Sequence, residues 1–215
     1  WSDPVKAAHP FENRDERLLA TVLMNGVLFK GKRIATYPGG ADAMPNPNAT
    51  KTGYYLRKFL NENVNIQTGG GSDGHVVPLF RLAEIYLNYA EALNEYDPTN
   101  PDIAVYLNKI RERVSLPDVP SGLTQEQMRT LIHHERRVEL AFEEHRFWDV
   151  RRWKVASSTL GAPVKGVKIT QDDAGNFTYS PVQVEQRVFQ PKMYWYPIPQ
   201  SEVLKLHHWE QNKGW

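Results

Sequence analysis

The sequence predicts a mainly α fold: tetratricopeptide-like helical hairpins with long irregular loops and a small β-hairpin. Three observations carry that prediction. Apolar residues recur at the helical period on both sides of a proline pair, at Leu82, Ile85, Tyr86, Tyr89, Ala90 and Leu93 and again at Ile103, Ala104, Leu107, Ile110 and Val114. Residues 30–52 are rich in Gly, Pro, Asn and Ala and show no sustained period, which reads as a long loop. Gly175 and Asn176 separate two β-rich runs, GVKIT and FTYSPVQVEQRVF, and so mark a hairpin turn.

Taken from the N-terminus, NRDERLLATV reads as a short helix that Asn13 or Asp15 would cap. The run GYYLRKFL at 53–60 is too short to assign. Gly69, Gly71 and Gly74 match the dinucleotide-binding spacing, but that fingerprint needs a strand before it and a helix opening from it. Residues 61–68 make a poor strand and Pro78 intervenes, so this stretch reads as a flexible turn. Pro98 and Pro101 end the first long helix and start the second. Such a pair has the length of a tetratricopeptide-like unit and should stack on other helices, because one pair alone buries little. Thr124 and Gln127 form a capping box for a third helix running from Gln125 to about Glu144, and a further helical piece covers Phe147 to Ala156. Met193 to Pro199 reads as extended, since Pro197 and Pro199 forbid helix, and Ser201 caps a last helix from Glu202 to Leu206. No domain linker is visible, so residues 1–215 read as one domain.

A chain of 215 residues is long enough for one substantial core. The formal charge of +1, with no Lys/Arg block, argues against a nucleic-acid partner. The absence of cysteine excludes a disulfide framework, a thiol nucleophile and a Cys-based zinc site. No apolar run approaches the ~20 residues that cross a bilayer, and no signal peptide is visible. A start at Trp1 leads us to expect a fragment of a longer chain.

The densest chemistry lies in ERRVELAFEEHRFWDVRRW, residues 135–153. Glu135, Glu139 and Glu143 share one helix face beside His133, His134 and His145, as a metal site would require. The H-E-x-x-H pattern is broken, however, because Arg136, Arg137 and Val138 follow His134-Glu135 with no second His in register. Arg136, Arg137, Arg146, Arg151 and Arg152 supply counter-charges, and arginine forks pair with carboxylates bidentately. We read the cluster as a partly buried ion-pair network that locks the third helix to the next, rather than as a metal or acid–base centre. Glu143 with Asp149 is a candidate pair for glycoside hydrolysis, which needs two carboxyls about 5–10 Å apart. A chain with 25 acidic residues offers many such pairs. No G-x-S-x-G motif supports a Ser-His-Asp triad. His207-His208-Trp209 reads as surface or packing, and the N-x-T acceptors at Asn48 and Asn176 matter only in a eukaryotic secretory setting. No catalytic residue, metal or cofactor is expected.

Four segments, in order, resemble the C-terminal region of the SusD/RagB family. They are NRDERLLATVLMNG with TGYYLRKF; PLFRLAEIYLNYAEALNE; LNKIRERVSLPDVP continuing into LIHHERRVELAFEEHRFWDVRRW; and YWYPIPQSEVLKLHHWEQNKGW, with its Pro-Ile-Pro motif and aromatic end. The family often has Gly where Glu144 stands, and a Glu there would let the third helix continue by a turn. Its tail often reads like NPNLTQNPGY, against HHWEQNKGW here.

The resemblance implies a non-catalytic glycan-binding protein, lipid-anchored on the outer face of a Gram-negative outer membrane. Such a protein sits as a lid on a SusC-like TonB-dependent transporter and hands it oligosaccharides. The lipidated cysteine would lie in a part of the chain outside residues 1–215, and the anchor would be the only link to the membrane. The family motif does not fix the ligand contacts. Aromatics in the loops at 1–12 and 27–55 make Trp1, Phe29, Tyr37 and Tyr54 the candidates for stacking on sugar rings, with Arg33, Asp42 and Asn46 as partners for hydroxyls. Two other functions compete with capture: a glycoside hydrolase using a carboxylate pair, and a helical scaffold for a peptide partner. Some family members serve peptide uptake, which leaves the ligand class open.

Overall fold

The computed structural model describes residues 1–64, 78–205 and 208–215. Two short helices come first, α1 (Pro4–Ala8) and α2 (Arg17–Thr21). Asp3 caps α1 by accepting the N–H groups of Val5 and Lys6. Asp15 accepts the N–H of Arg17 at 2.9 Å, but Glu16 holds the cap position and makes no side-chain cap hydrogen bond, so neither Asn13 nor Asp15 caps the helix as expected. Asn13 lies before the helix in left-handed backbone (φ 51°). Four two-residue strands follow: β1 (Val22–Leu23), β2 (Leu28–Phe29), β3 (Lys32–Arg33) and β4 (Tyr55–Leu56). β1 pairs with β4 and β2 with β3, both antiparallel, so GYYLRKFL supplies a strand. The remainder of 30–52 is loop, as its composition suggests.

The core is the predicted hairpin, α3 (Leu82–Tyr96) and α4 (Asp102–Glu112), with α5 (Gln125–Glu139) packed on α3. Leu87, Ala90, Ile103, Leu107, Ile110, Ile132 and Leu140 form its buried centre. On α4 the expected face is the buried one. On α3 it is rotated: Leu82, Ile85 and Tyr89 are 61%, 51% and 41% exposed, while Leu87, Ala90 and Asn94 are fully buried. Apolar residues cover much of α3, so periodicity defines two overlapping stripes, and packing against α4 and α5 selects one of them. Asn94 is buried because it pins the start of α5. Its side chain donates to the Gln125 carbonyl, and the Gln125 side chain donates to the Asn94 carbonyl at 2.8 Å. The Thr124–Gln127 capping box is present.

α5 stops at Glu139 rather than near Glu144. Lys58 Nζ donates to the carbonyls of Glu139 and Ala141, and Arg81 Nη2 donates to the Glu139 carbonyl. These cations satisfy the helix end as a further helical turn otherwise would. Phe142 and Glu144 then take left-handed backbone (φ 63° and 68°). Glu144 therefore adopts the conformation for which Gly is suited instead of prolonging the helix. α6 (His145–Arg152) follows directly, then α7 (Ala156–Thr159).

The hairpin β5 (Val164–Gln171) and β6 (Phe177–Glu185) forms as expected, with Gly175 at φ 86° and Asp172 accepting the N–H of Asn176 in the turn. It docks on the loop at Thr52–Gly53, where the Val167 N–H donates to the Thr52 carbonyl at 2.9 Å. A Cβ on Gly166 would lie 2.6 Å from the Thr52 oxygen, and one on Gly53 would lie 2.8 Å from the Val167 side chain, so both glycines are required for close approach. Pro191–Tyr194 is a 3-10 turn that takes Met193 and Tyr194 out of the expected extended stretch. α8 (Gln200–Lys205) begins one residue before Ser201. The Pro199 carbonyl accepts the N–H groups of Glu202 and Val203, so the backbone starts this helix, not the Ser201 hydroxyl. The glycines at 69–74, Leu206 and His207 lie outside the described residues.

Glu144→Gly should raise unfolding free energy by about 0.5–1 kcal/mol in a urea titration, because Gly relieves the left-handed strain. A loss of similar size would mean that Glu144 is helical.

Candidate functional site

The carboxylates Glu135, Glu139, Glu143 and Asp149 of the cluster are engaged by cations, and most of them are buried. Glu135, Glu139 and Asp149 are at most 4% exposed, and Arg136 is 5% exposed. Arg17 Nη1 reaches Glu135 at 2.6 Å and Glu139 at 2.8 Å, while its Nη2 holds Asp15 at 2.6 Å. Arg81 binds Glu139 and Glu143, both at 2.6 Å. Arg111 adds a contact to Glu135, Arg113 one to Glu139, and Lys58 one to Glu143. Arg136 joins α5 to α6 through Asp149 at 2.7 Å, and Arg152 links Asp149 to Glu91 on α3.

The predicted network is therefore present, but with different counter-charges. Among the described residues, Arg136 and Arg152 are the two of the five expected arginines that form ion pairs; Arg151 instead lies over the Phe147 ring. The partners of the glutamates come from α2, Lys58, Arg81 and the end of α4, far away in the sequence. Burial pushes the Glu139 carboxyl up, but hydrogen bonds from Arg81 and Arg17 outweigh it and hold the group below its ordinary range. Glu143 behaves alike, burial being overcome by Arg81 and Lys58. A carboxyl held ionised in this way is a poor proton donor near neutral pH. The candidate pair Glu143 and Asp149 is divided between separate cations, Lys58 and Arg81 for one and Arg136 and Arg152 for the other.

Small cavities of about 280 and 330 Å³ lie at the cluster itself, beside Arg81, Glu139 and Glu143 and beside Glu91, Arg136 and Arg152, but the two larger spaces lie around the loops. One cavity of about 850 Å³ is lined by Phe29, Lys30, Arg33, Asp42 and Glu62 among others. A second, of about 880 Å³, is lined by Trp1, Arg14, Tyr54, Arg137, Phe142 and Lys165, with Val22, Tyr55 and Leu56 of the β1–β4 ladder. The ring of Phe11 sets Tyr54 by an edge contact at 6.2 Å and itself meets Tyr179 of β6 at 5.4 Å. Burial raises the Tyr54 phenol above its ordinary value, against the opposing charge of Arg14, so it remains a neutral hydroxyl.

The structure thus divides the seven residues proposed from sequence. Trp1 and Tyr54 share one cavity; Phe29, Arg33 and Asp42 share the other. Arg33 already donates to the Gly26 carbonyl at 2.8 Å, and Asp42 accepts the Ala35 N–H at 2.8 Å. Tyr37 packs on Phe177 with ring centres 5.1 Å apart. Asn46 donates to the carbonyls of Gly40 and Ala41 and so braces its own loop. Sequence reasoning missed Arg14, Arg137, Phe142 and Lys165. Only Arg137 left a signal: two residues from both Glu135 and Glu139, it must leave their helix face.

The chain belongs to the SusD family, whose profile matches residues 2–215. It is 36% identical over 126 residues to SusD-like protein P2 of Formosa agariphila, a match covering 55% of this chain and 24% of that protein. A second relative, SusD-like protein P25 of the same organism, is 40% identical over 106 residues, covering 47% of this chain and 19% of that one. Among solved structures, a SusD-like protein from Bacteroides fragilis superposes with a TM-score of 0.83 at 30% identity over 95% of this chain and 40% of its own. The matches thus span about a quarter or less of the curated relatives' length.

Two measurements check the network. Arg17→Met takes one shared cation from buried Glu135 and Glu139, leaving Arg111 on the first and Arg81 and Arg113 on the second, and should lower unfolding free energy by about 3 kcal/mol. The depressed Glu139 and Glu143 carboxyls contribute stability that is complete above their unfolded value near 4.5 and is lost as pH falls through their folded values. Stability measured against pH should therefore decline below about 4.5, with a shallower decline in Glu139→Gln.

Proposed function

We propose that this SusD-family chain is part of a cell-surface protein that captures oligosaccharides or polysaccharides and passes them, uncleaved, to a SusC-like TonB-dependent outer-membrane transporter. On this reading a lipid anchor borne outside residues 1–215 holds the protein on the outward face of the outer membrane. The observation that carries it is the cavity shared by Trp1 and Tyr54, where aromatic rings lie beside Arg14 and Arg137 in a space large enough for a short oligosaccharide. The apolar face of a pyranose ring stacks on an aromatic ring, while its hydroxyls need neighbouring donors and acceptors. The cavity at Phe29, Arg33 and Asp42 offers a second surface of the same kind. The acidic cluster, the strongest catalytic candidate, supports binding over turnover because its carboxylates are committed to arginine and lysine.

Calorimetric titration against a polysaccharide panel, with product analysis of the same mixtures, tests this reading. Saturable binding without cleavage is expected, and Tyr54→Ala should weaken it about tenfold, the worth of one aromatic contact. Cleavage would establish the hydrolase instead. Silence on every glycan, with binding of peptides, would establish the scaffold.

A further inference from the structure

Among the described residues, the cavity at Tyr54 is lined by four cationic side chains, Lys6, Arg14, Arg137 and Lys165, and by no carboxylate. They come from four places: α1, the segment before α2, α5 and β5. The neighbouring cavity differs, setting Lys30, Lys32 and Arg33 against Asp42 and Glu62. The chain as a whole carries only +1, so the imbalance is local.

Several acidic groups nearby in sequence are engaged elsewhere, and Glu16, Glu144 and Glu185 are not among the residues that line the cavity. Asp15 binds Arg17, Glu139 binds Arg17, Arg81 and Arg113, and Glu12 binds His9 at 2.9 Å. Asp3 caps α1 and reaches the exposed Lys6 ammonium only at 3.9 Å. Arg14 makes one hydrogen bond, to the Pro10 carbonyl. Arg137 and Lys165 form no ion pair among the described residues. Clustered cations repel one another, and an anion placed among them relieves that repulsion while gaining charge-assisted hydrogen bonds. Aromatic surface is interleaved with the charge, from Trp1, Phe11, Tyr54 and Phe142.

We infer that this cavity selects an anionic saccharide, one bearing a carboxylate or sulfate on its rings, over a neutral one. This inference rests on the capture reading above. The sugar ring lies on the Tyr54 side of the cavity, and its acidic group faces Arg137 and Lys165. An acidic peptide would satisfy the charge but would leave the aromatic faces without a flat apolar partner.

The test uses matched ligands in calorimetry at low and at physiological salt. One pair is an oligogalacturonate and its fully methyl-esterified form. The other is a sulfated galactan oligosaccharide and its desulfated form. Polyglutamate is the third arm. At least one acidic oligosaccharide should bind roughly tenfold more tightly than its neutral twin, the effect of one or two charge-assisted contacts. The advantage should shrink with salt. The two pairs distinguish a uronate from a sulfate ligand. Arg137→Gln combined with Lys165→Gln should bring the acidic-to-neutral ratio toward one, with an unchanged melting temperature showing that the fold is intact. Equal binding of acidic and neutral twins would overturn the charge preference and leave glycan capture standing. Polyglutamate binding as tightly as either acidic sugar would overturn it in favour of an acidic peptide. No binding of any saccharide would overturn both readings together.

Discussion

The contact of Arg17 with Glu135 and Glu139 is the constraint on which the rest of the molecule depends. One guanidinium from a five-residue helix reaches two carboxylates one turn apart on α5, and all three groups are nearly inaccessible to water. Removing such charges from solvent is costly, so the arrangement is favourable only if every lone pair and donor is satisfied. Arg81, Arg111, Arg113 and Lys58 complete that satisfaction. Through them the network joins the N-terminal segment, the 57–59 loop, the α3–α4 hairpin and α5. The apolar core packs the three long helices together; the ion pairs fix where the loops attach to them.

The same cations shape the candidate site. By taking the carbonyls at the end of α5, Lys58 and Arg81 stop the helix at Glu139 and turn the chain through left-handed Phe142. That turn delivers Phe142 to the cavity wall, while Arg137 leaves the helix on the side opposite its buried glutamates. Across the cavity, the glycine-to-backbone approach of Gly166 and Gly53 seats the hairpin so that Lys165 completes the lining. A structural network that resembles an active site thus positions the candidate surface, whose lining holds none of its carboxylates.

Much of this was legible in the residues. The helical period located α3 and α4, the Thr124–Gln127 pair located the start of α5, and Gly175 with Asn176 located the hairpin turn, because each is a local rule of backbone geometry. The segments around ERRVELAFEEHRFWDVRRW and YWYPIPQ were enough to indicate the family. Two readings failed for one shared reason. The buried stripe of α3 and the end of α5 depend on groups outside the window that predicts them, packing by α4 and α5 and the ammonium of Lys58, whereas the start of α8 moved locally, to bonds on the Pro199 carbonyl.

The sequence by itself determined the helical class, the capping box of α5, the turn of the β-hairpin, the family, and the structural nature of the acidic cluster. Only the tertiary structure decided which cations neutralise that cluster, and that Trp1 and Tyr54 share a cavity apart from Phe29, Arg33 and Asp42. It alone brought Lys6, Arg14, Arg137 and Lys165 to one surface. Local spacing governs what a backbone does within a few residues, whereas these groups are up to 159 positions apart between Lys6 and Lys165 (165 minus 6). Their meeting is set by burial and by long-range pairing, for which the linear order of residues carries no periodic signal.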